Sequence, residues 1–333
     1  MINQQTTPIV ITSIFSPNEV IKQFVKKGFK LYIAGDKKTP KNWSFENCEY
    51  LSIESQFRYE KLAEITPENH YARKNFAYLA AIESGASEIF ETDDDNYPQS
   101  NYPSFLEKST QSVQILKSSD RFFNIYSEFL AGDQVVWPRG YPLKQILNTP
   151  KKLSRKTKTI NTFIQQSLID NDTDVDAIYR LTNNRPVTFI KDKKLALDKH
   201  VYAPFNSQNT AWFPPAYLFL YLPSTVGSRV CDILRGWIAQ RMSWEIDSHL
   251  LFLSPCAYQL RNEHDYLKDF KDELPLYIET ERTIEILETT SLTGSTQSKF
   301  VQIYQALAKA NIVQPEEVNK VKAWIKILST LLK

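Results

Sequence analysis

This sequence predicts an α/β fold: a doubly wound, mostly parallel sheet with helices on both faces, followed by a C-terminal helical appendage. Three observations carry the prediction. Over the first 95 residues, short β-branched runs alternate with segments of helical periodicity, and the links between them are brief. The 333 residues are 42% hydrophobic and 13% aromatic, enough for a substantial core. Beyond Leu274-Pro275 the strand signals stop and helical periodicity takes over. The expected division is a sheet domain over residues 1–270 and a helical region over 271–333.

In chain order, Ile9 to Ile14 reads as a buried strand, and Ser16-Pro17-Asn18-Glu19 has the chemistry of a helix start. A short helix through Val20, Phe24 and Val25 stops at Gly28. Lys30 to Ala34 is a second strand ending at Gly35-Asp36, and Glu49 to Ile53 a third. A helix from about Tyr71 to Glu83 is closed by Gly85. The strand Glu88 to Glu91 then runs straight into Asp93-Asp94-Asp95-Asn96, where Tyr97-Pro98 turns the chain. From Asn101 to about Tyr126 a helix and another strand are expected. Two prolines and a glycine keep Val135 to Pro142 irregular. Lys151 to Lys158 reads as a basic connector, either a solvated loop or one that touches an anionic acceptor or membrane headgroups. Asp174 to Arg180 and Pro186 to Ile190 resume α/β character, and Cys231 to His249 has the apolar spacing of a helix. Residues 276–289, 298–310 and 315–332 read as three helices. The last packs on the sheet domain, or offers its Lys320, Lys322, Lys326 and Lys333 to a membrane surface or its apolar stripe to a homodimer.

Composition excludes several classes. Forty basic residues against 38 acidic give a formal charge of +2, which argues against nucleic acid as the main partner. Three cysteines without metal-ligand spacing fit reduced thiols in a cytosolic compartment. Polar Asn3 to Thr7 follows the start and the longest apolar run, Ala216 to Leu222, is short, so a soluble cytoplasmic protein is expected, peripheral at most at the inner membrane face. Only eight glycines occur, and neither a P-loop nor a dinucleotide fingerprint is present. Phosphate must then be held by a metal, by Arg or Lys, or by helix N-termini.

The acidic strand end is the chief chemical signal. On an extended chain Asp93 and Asp95 project to one side, two hard oxygen ligands for Mn²⁺ or Mg²⁺ where a diphosphate could meet the metal. A solvated acidic turn is the competing reading. Asp232, near a helix N-terminus, serves either the helix dipole or as general base for an acceptor hydroxyl. Arg235 is placed to pair with it or to hold a departing diphosphate. No histidine has zinc spacing, but His264 in Arg261-Asn262-Glu263-His264-Asp265 is a candidate third metal ligand. Arg73 and Lys74 open the helix before the acidic strand, as phosphate contacts or as solvated charges.

Taken together these strings resemble the STELLO-type glycosyltransferase family. The resemblance runs through Ala34-Gly35-Asp36, Tyr71-Ala72-Arg73-Lys74-Asn75, Ile89 to Asn96, Val136 to Leu143, Asp174 to Leu181, Phe205 to Thr210, Arg229 to Gly236 and Gln259 to Asp265. These strings cover about residues 8–270 in colinear order, and the last sixty or so residues lie outside it. The resemblance implies a GT-A fold, with the acidic strand end as its D-x-D motif, and sugar transfer from a nucleotide-sugar donor to a glycan or lipid-linked glycan acceptor. Plant members carry a Golgi-anchoring transmembrane helix. This chain shows none and is similar to soluble bacterial relatives in surface-polysaccharide synthesis. In that frame Asp93 and Asp95 hold the metal with His264, and Asp94 faces the ribose. Thr12, Asp36, Arg73 and Lys74 line the nucleotide pocket, Asp232 is the base if configuration inverts, and Arg139 and Asp247 fall on the acceptor side. A sugar nucleotidyltransferase, or a non-catalytic scaffold for a polysaccharide synthase, are the alternatives.

Overall fold

A computed structural model describes residues 6–104, 109–132, 134–148, 152–263 and 265–333. The first third builds the parallel part of the sheet. Strand β1 (Ile9–Thr12) is followed by helix α1 (Glu19–Lys26), which starts where the Asn18 side chain accepts the Ile21 N–H. Strands β2 (Leu31–Ala34) and β3 (Cys48–Leu51) come next, then the short helices α2 (Ile53–Gln56) and α3 (Glu60–Ile65). Helix α4 (Lys74–Glu83) ends before Gly85, whose φ of 81° is the left-handed conformation that closes a helix without strain. Strand β4 (Ile89–Glu91) returns beside β1.

Alternation along these strands decides which helix covers which face. Ile9, Ile11, Leu31 and Ile33 pack with Val20, Ile21 and Phe24 of α1, while Val10, Tyr32 and Ala34 pack with Phe76 and Leu79 of α4. The parallel part is therefore covered on both faces, as the sequence pattern predicts.

The remainder departs from that prediction, because the sheet is mixed. After β5 (Asn96–Pro98), strand β6 (Thr110–Ser118) and helix α5 (Tyr126–Phe129), the chain enters the 19-residue strand β7 (Leu153–Asn171). Helix α6 (Ala177–Thr182), β8 (Lys194–Leu197), β9 (Thr210–Trp212), helix α7 (Ser228–Ser243) and β10 (Ser248–Gln259) complete the α/β region. The strand order is β3-β2-β1-β4-β9-β7-β6-β8-β10-β5, with β7 also paired to β10. β9 lies antiparallel to both β4 and β7, and β6 is antiparallel to β7. The long β7 organises this part of the sheet. Its first half pairs with β6, its second half with β9 and β10, and β8 bridges β6 to β10, so these pairings close a ring.

Several local expectations change with it. The basic segment read as a connector is β7 from Leu153 onward, its cations standing on an exposed edge. Among the described residues between Asn101 and Tyr126 there is a strand, β6, and no helix before α5. Pro186 to Ile190 contributes only isolated bridges from Val187 and Phe189. Helix α7 begins at Ser228 and ends at Ser243. His249 belongs to β10, because Asp247 adopts a left-handed φ of 49° and reverses the chain.

Three helices follow, α8 (Tyr266–Thr289), α9 (Thr296–Lys309) and α10 (Glu317–Leu331). Pro275, taken in the sequence as a boundary, sits inside α8 on its solvent side, as does Lys271, whose carbonyl the proline leaves without a helical donor. Leu276, Ile284, Phe300, Tyr304, Val321 and Trp324 are buried in the same core cluster as α4 and α7. The apolar stripe of α10 is thus turned inward, and Lys320 is buried with its Nζ 2.8 Å from Ser224 Oγ. Among the described residues no helix is long and apolar enough to cross a membrane.

One buried ion pair ties the sheet to α7. Arg235 Nη2 lies 2.9 Å from Glu91 Oε1, both side chains are essentially inaccessible, and Glu91 also accepts from Trp212 Nε1 at 2.7 Å and from the Tyr78 hydroxyl. The variant R235M strands a charged carboxylate in the core. Chemical denaturation is expected to record a loss of about 3–5 kcal/mol. Breaking the exposed Lys268–Asp272 pair with K268M should cost under about 1 kcal/mol.

Candidate functional site

The carboxyl ends of the parallel strands converge with the start of α7, the place where open α/β sheets bind ligands. Thr12 ends β1, Asp36 follows β2, and Asp93, Asp94 and Asp95 follow β4 in a turn. The close seating of α7 depends on Gly236, where a Cβ would fall 2.3 Å from the Phe205 carbonyl oxygen.

The three aspartates diverge. Asp93 Oδ1 accepts from the Tyr71 hydroxyl at 2.6 Å and faces Lys74 Nζ at 3.3 Å. Lys74 is fully buried, and its ammonium also donates to the Thr92 and Ser207 carbonyls at 2.8 and 3.1 Å. Asp94 turns the other way, accepting from Ser13 Oγ at 2.5 Å, while its carbonyl accepts from Asn18 Nδ2 at 2.6 Å. Asp95 Oδ2 accepts from Gln259 Nε2 at 2.8 Å, and its Oδ1 is buried with no hydrogen-bond partner.

A second charged group faces the turn. The Arg139 guanidinium bridges Asp174, through Nε and Nη2 at 2.9 and 3.0 Å, and Asp232, through Nη1 and Nη2 at 3.0 and 2.9 Å. Asn206 Nδ2 donates to Asp174 Oδ2 at 2.6 Å. Burial alone would disfavour the guanidinium charge, yet the two carboxylates hold its pKa well above the usual value. Asp232 Oδ1 also accepts the Ile233 N–H, so Oδ2, with one guanidinium donor, keeps a free lone pair.

Two adjoining depressions result. One, about 380 Å³, is lined by Thr12, Ser13, Asp36, His70 and Asp94, with the exposed Ile14 and Phe15 at its edge. The other, about 210 Å³, is lined by Arg139, Asp174, Arg229, Asp232, Gln259 and Arg261. Tyr71, Asp93, Asp95 and Ser228 line both. His70 fastens the two walls, since its Nε2 lies 2.7 Å from the Val226 carbonyl, which only an Nε2–H can satisfy, and Nδ1 accepts the Ala72 N–H at 3.0 Å. Burial lowers its pKa, in keeping with this neutral tautomer.

Of the residues singled out in the sequence, Thr12, Asp36, Asp93, Asp94, Asp95, Arg139 and Asp232 line this cleft. Four others do not. Lys74 lies behind Asp93 rather than on the surface. Arg73 is buried over Phe76 with its Nε 3.9 Å from Asp36. Arg235 faces Glu91 in the core, not Asp232 or the cleft. Asp247 is 84% exposed beside Lys199 and lines neither depression. His264 lies outside the described residues. Sequence reasoning missed Tyr71, Asp174, Gln208, Ser228, Arg229, Gln259 and Arg261 as cleft residues. Recognising β10 would have placed Gln259 and Arg261 at a strand end beside the acidic turn.

Comparison with known sequences points to one family. The sequence model described as STELLO glycosyltransferases matches residues 229–332, from the start of α7 through α10. Over that part, and at lower identity along most of its length, this chain resembles the STELLO-type glycosyltransferases. It is 29% identical to probable glycosyltransferase STELLO2 of Arabidopsis thaliana over 84% of this chain and 39% of that protein. Probable glycosyltransferase STELLO1 of the same plant is 27% identical over 98% of this chain and 45% of its own length. The chain thus spans less than half the length of these curated relatives. The family match also corrects the sequence reading of the last sixty residues, which fall inside it rather than beyond it.

The acidic turn carries a titration signature. Burial first, and then the neighbouring Asp93 charge, push the Asp95 pKa up to about 7; burial and Asp93, partly offset by the Ser13 hydrogen bond, bring Asp94 to about 6. Both lie above the ordinary aspartate value of about 3.9. Between about pH 4 and 7 the folded chain therefore holds more protons than the unfolded chain, and stability falls as pH rises through that window. In chelator, thermal melts from pH 5 to 8 are expected to show this decline, at most about 1.4 kcal/mol per pH unit for each group. D95N should flatten the slope and melt higher than wild type at pH 8. Parallel slopes for the two proteins would refute the assignment.

Proposed function

We propose that this protein transfers a sugar from a nucleotide-sugar donor to a hydroxyl of a glycan or lipid-linked glycan acceptor, on a GT-A-like arrangement of the parallel strands. The observation that carries this reading is the acidic turn between the two depressions. The turn puts carboxylates where a diphosphate would link a nucleotide in the first depression to a sugar in the second. Family relationship supports it independently.

The residues present fit a divalent cation. Asp95 Oδ1 is a buried acceptor without a donor, and Asp93 uses only Oδ1 in contacts with Tyr71 and Lys74. Asp93 and Asp95 would hold Mn²⁺ or Mg²⁺, which would neutralise charge on the departing nucleoside diphosphate. Among the described residues no three His, Cys, Asp or Glu side chains converge as a ligand set, so a cation held there would need further ligands, which the donor's phosphate oxygens would supply.

The chain's own groups divide the remaining work. Thr12, Ser13 and Asp36 flank the nucleotide, with Asp36 rigid because it accepts the backbone N–H groups of Asn69 and His70 at 2.8 and 2.9 Å. Asp232 offers its free Oδ2 lone pair to the acceptor hydroxyl and takes the proton if configuration inverts. Arg139 fixes the carboxylate's orientation from behind.

Incubation with a panel of nucleotide sugars, with and without Mn²⁺, is expected to release nucleoside diphosphate from one donor in the presence of the metal. Formation of pyrophosphate from a nucleoside triphosphate and a sugar phosphate would point instead to sugar-nucleotide synthesis, and silence across the panel to a scaffold. D232N should lower kcat about 10²-fold or more while leaving the donor KM near that of wild type. Full activity in that variant would remove Asp232 from the chemistry.

A further inference from the structure

The second depression has a wall whose rigidity comes from the C-terminal helices. Arg229 is the second residue of α7 and Arg261 follows β10, and both line the cleft with Asp93, Asp95 and Asp232. Their guanidinium groups are held from behind by α8. Arg229 donates through Nε at 3.0 Å, and again through Nη2, to Glu273 Oε1, and lies 3.8 Å from Asp269 Oδ1. Arg261 Nη2 donates to Asp269 Oδ2 at 2.9 Å. Glu273 is fully buried, and its other oxygen accepts the Ala177 N–H at 2.8 Å and the Tyr277 hydroxyl at 2.6 Å. The Arg229 side chain remains 21% exposed, so one edge of a pinned guanidinium is left to the cleft.

The segment entering α7 is held in the same manner. Glu317 of α10 accepts the backbone N–H groups of Ser224, at 3.1 Å, and Thr225, at 2.7 Å, and Lys320 donates to Ser224 Oγ. Neither helix places a side chain in the depression itself.

We propose that Glu273, with Asp269, is a positioning residue: it sets the Arg229 and Arg261 guanidinium groups as a clamp for the phosphate-bearing part of the ligand opposite the acidic turn. Two guanidiniums close together repel each other: burial first, and then the charges of Arg229 and Arg180, lower the Arg261 pKa. Fixed carboxylates behind them hold the pair in place and leave a positive face toward a phosphate. Only the nature of the ligand rests on the glycosyl-transfer reading.

The test is binding of the four common ribonucleoside diphosphates, measured calorimetrically in Mn²⁺ with wild type, E273Q, R229M and the double variant, each checked by circular dichroism to be folded at the working temperature. The expected result is that the tightest-bound diphosphate loses about tenfold in affinity in E273Q, a comparable amount in R229M, and little more in the double variant. A merely structural Glu273 would lower the melting temperature and leave affinity unchanged, or the two losses would add independently; either outcome overturns the proposal. Failure of wild type to bind any of the four would overturn the glycosyl-transfer reading itself, and this inference with it.

Discussion

The Glu91–Arg235 ion pair is the constraint that gives the cleft its dimensions. Glu91 is the last residue of β4 and the acidic turn begins two residues on, while Arg235 stands three residues beyond Asp232 on α7. A charge pair sealed in the core has one low-energy geometry, because either member left alone would face the full desolvation penalty. The hydroxyl of Tyr78 and the indole N–H of Trp212 satisfy the rest of the carboxylate, and the Trp212 ring lies 4.7 Å from the guanidinium carbon. The pair therefore sets how far the carboxylates on β4 stand from the carboxylate on α7. Lys74 and His70 extend the same tie, the first binding the turn to Ser207, the second binding the Tyr71 turn to the loop that enters α7.

Around this frame charges of both signs face the cleft. Crowded carboxylates at the end of β4 have one resident cation, the Lys74 ammonium behind Asp93, among the contacts described for the turn. Across the cleft, arginines and aspartates alternate, with Arg139 shared by Asp174 and Asp232 and Arg229 backed by Glu273. In the proposed reading a nucleoside diphosphate with a divalent cation would be complementary to both sides, its metal to the acids and its remaining phosphate charge to the guanidiniums.

Much of the frame was legible because its signals are local. The alternation of Ile9 to Thr12 and Leu31 to Ala34, the capping residue Asn18 and the closing Gly85 each act within a few residues, and the parallel part of the sheet followed. The acidic run was legible for the same reason. The long β7 was not, since Lys156 and Lys158 look like a solvated loop until β6 is known to pair with them. Missing β10 hid Gln259 and Arg261. Arg235 reads as a partner of Asp232 or a diphosphate ligand, and Lys74 as a phosphate contact or a solvated charge, because partners 144 and 19 residues away in sequence, Glu91 and Asp93, decide their burial. Pro275 reads as a boundary because a proline inside a helix removes a hydrogen bond and crowds the carbonyl four residues back; here that carbonyl, on Lys271, lies on the solvent side of α8.

A crystal of the protein soaked with MnCl2 and a hydrolysis-resistant nucleotide sugar is the most direct examination of this account. The predicted result is a manganese ion bound by Asp93 and Asp95, the nucleotide beside Thr12 and Asp36, and the diphosphate directed toward Arg229. Metal and nucleotide bound together at any other surface, with the acidic turn still paired only to Tyr71, Lys74, Ser13 and Gln259, would contradict it.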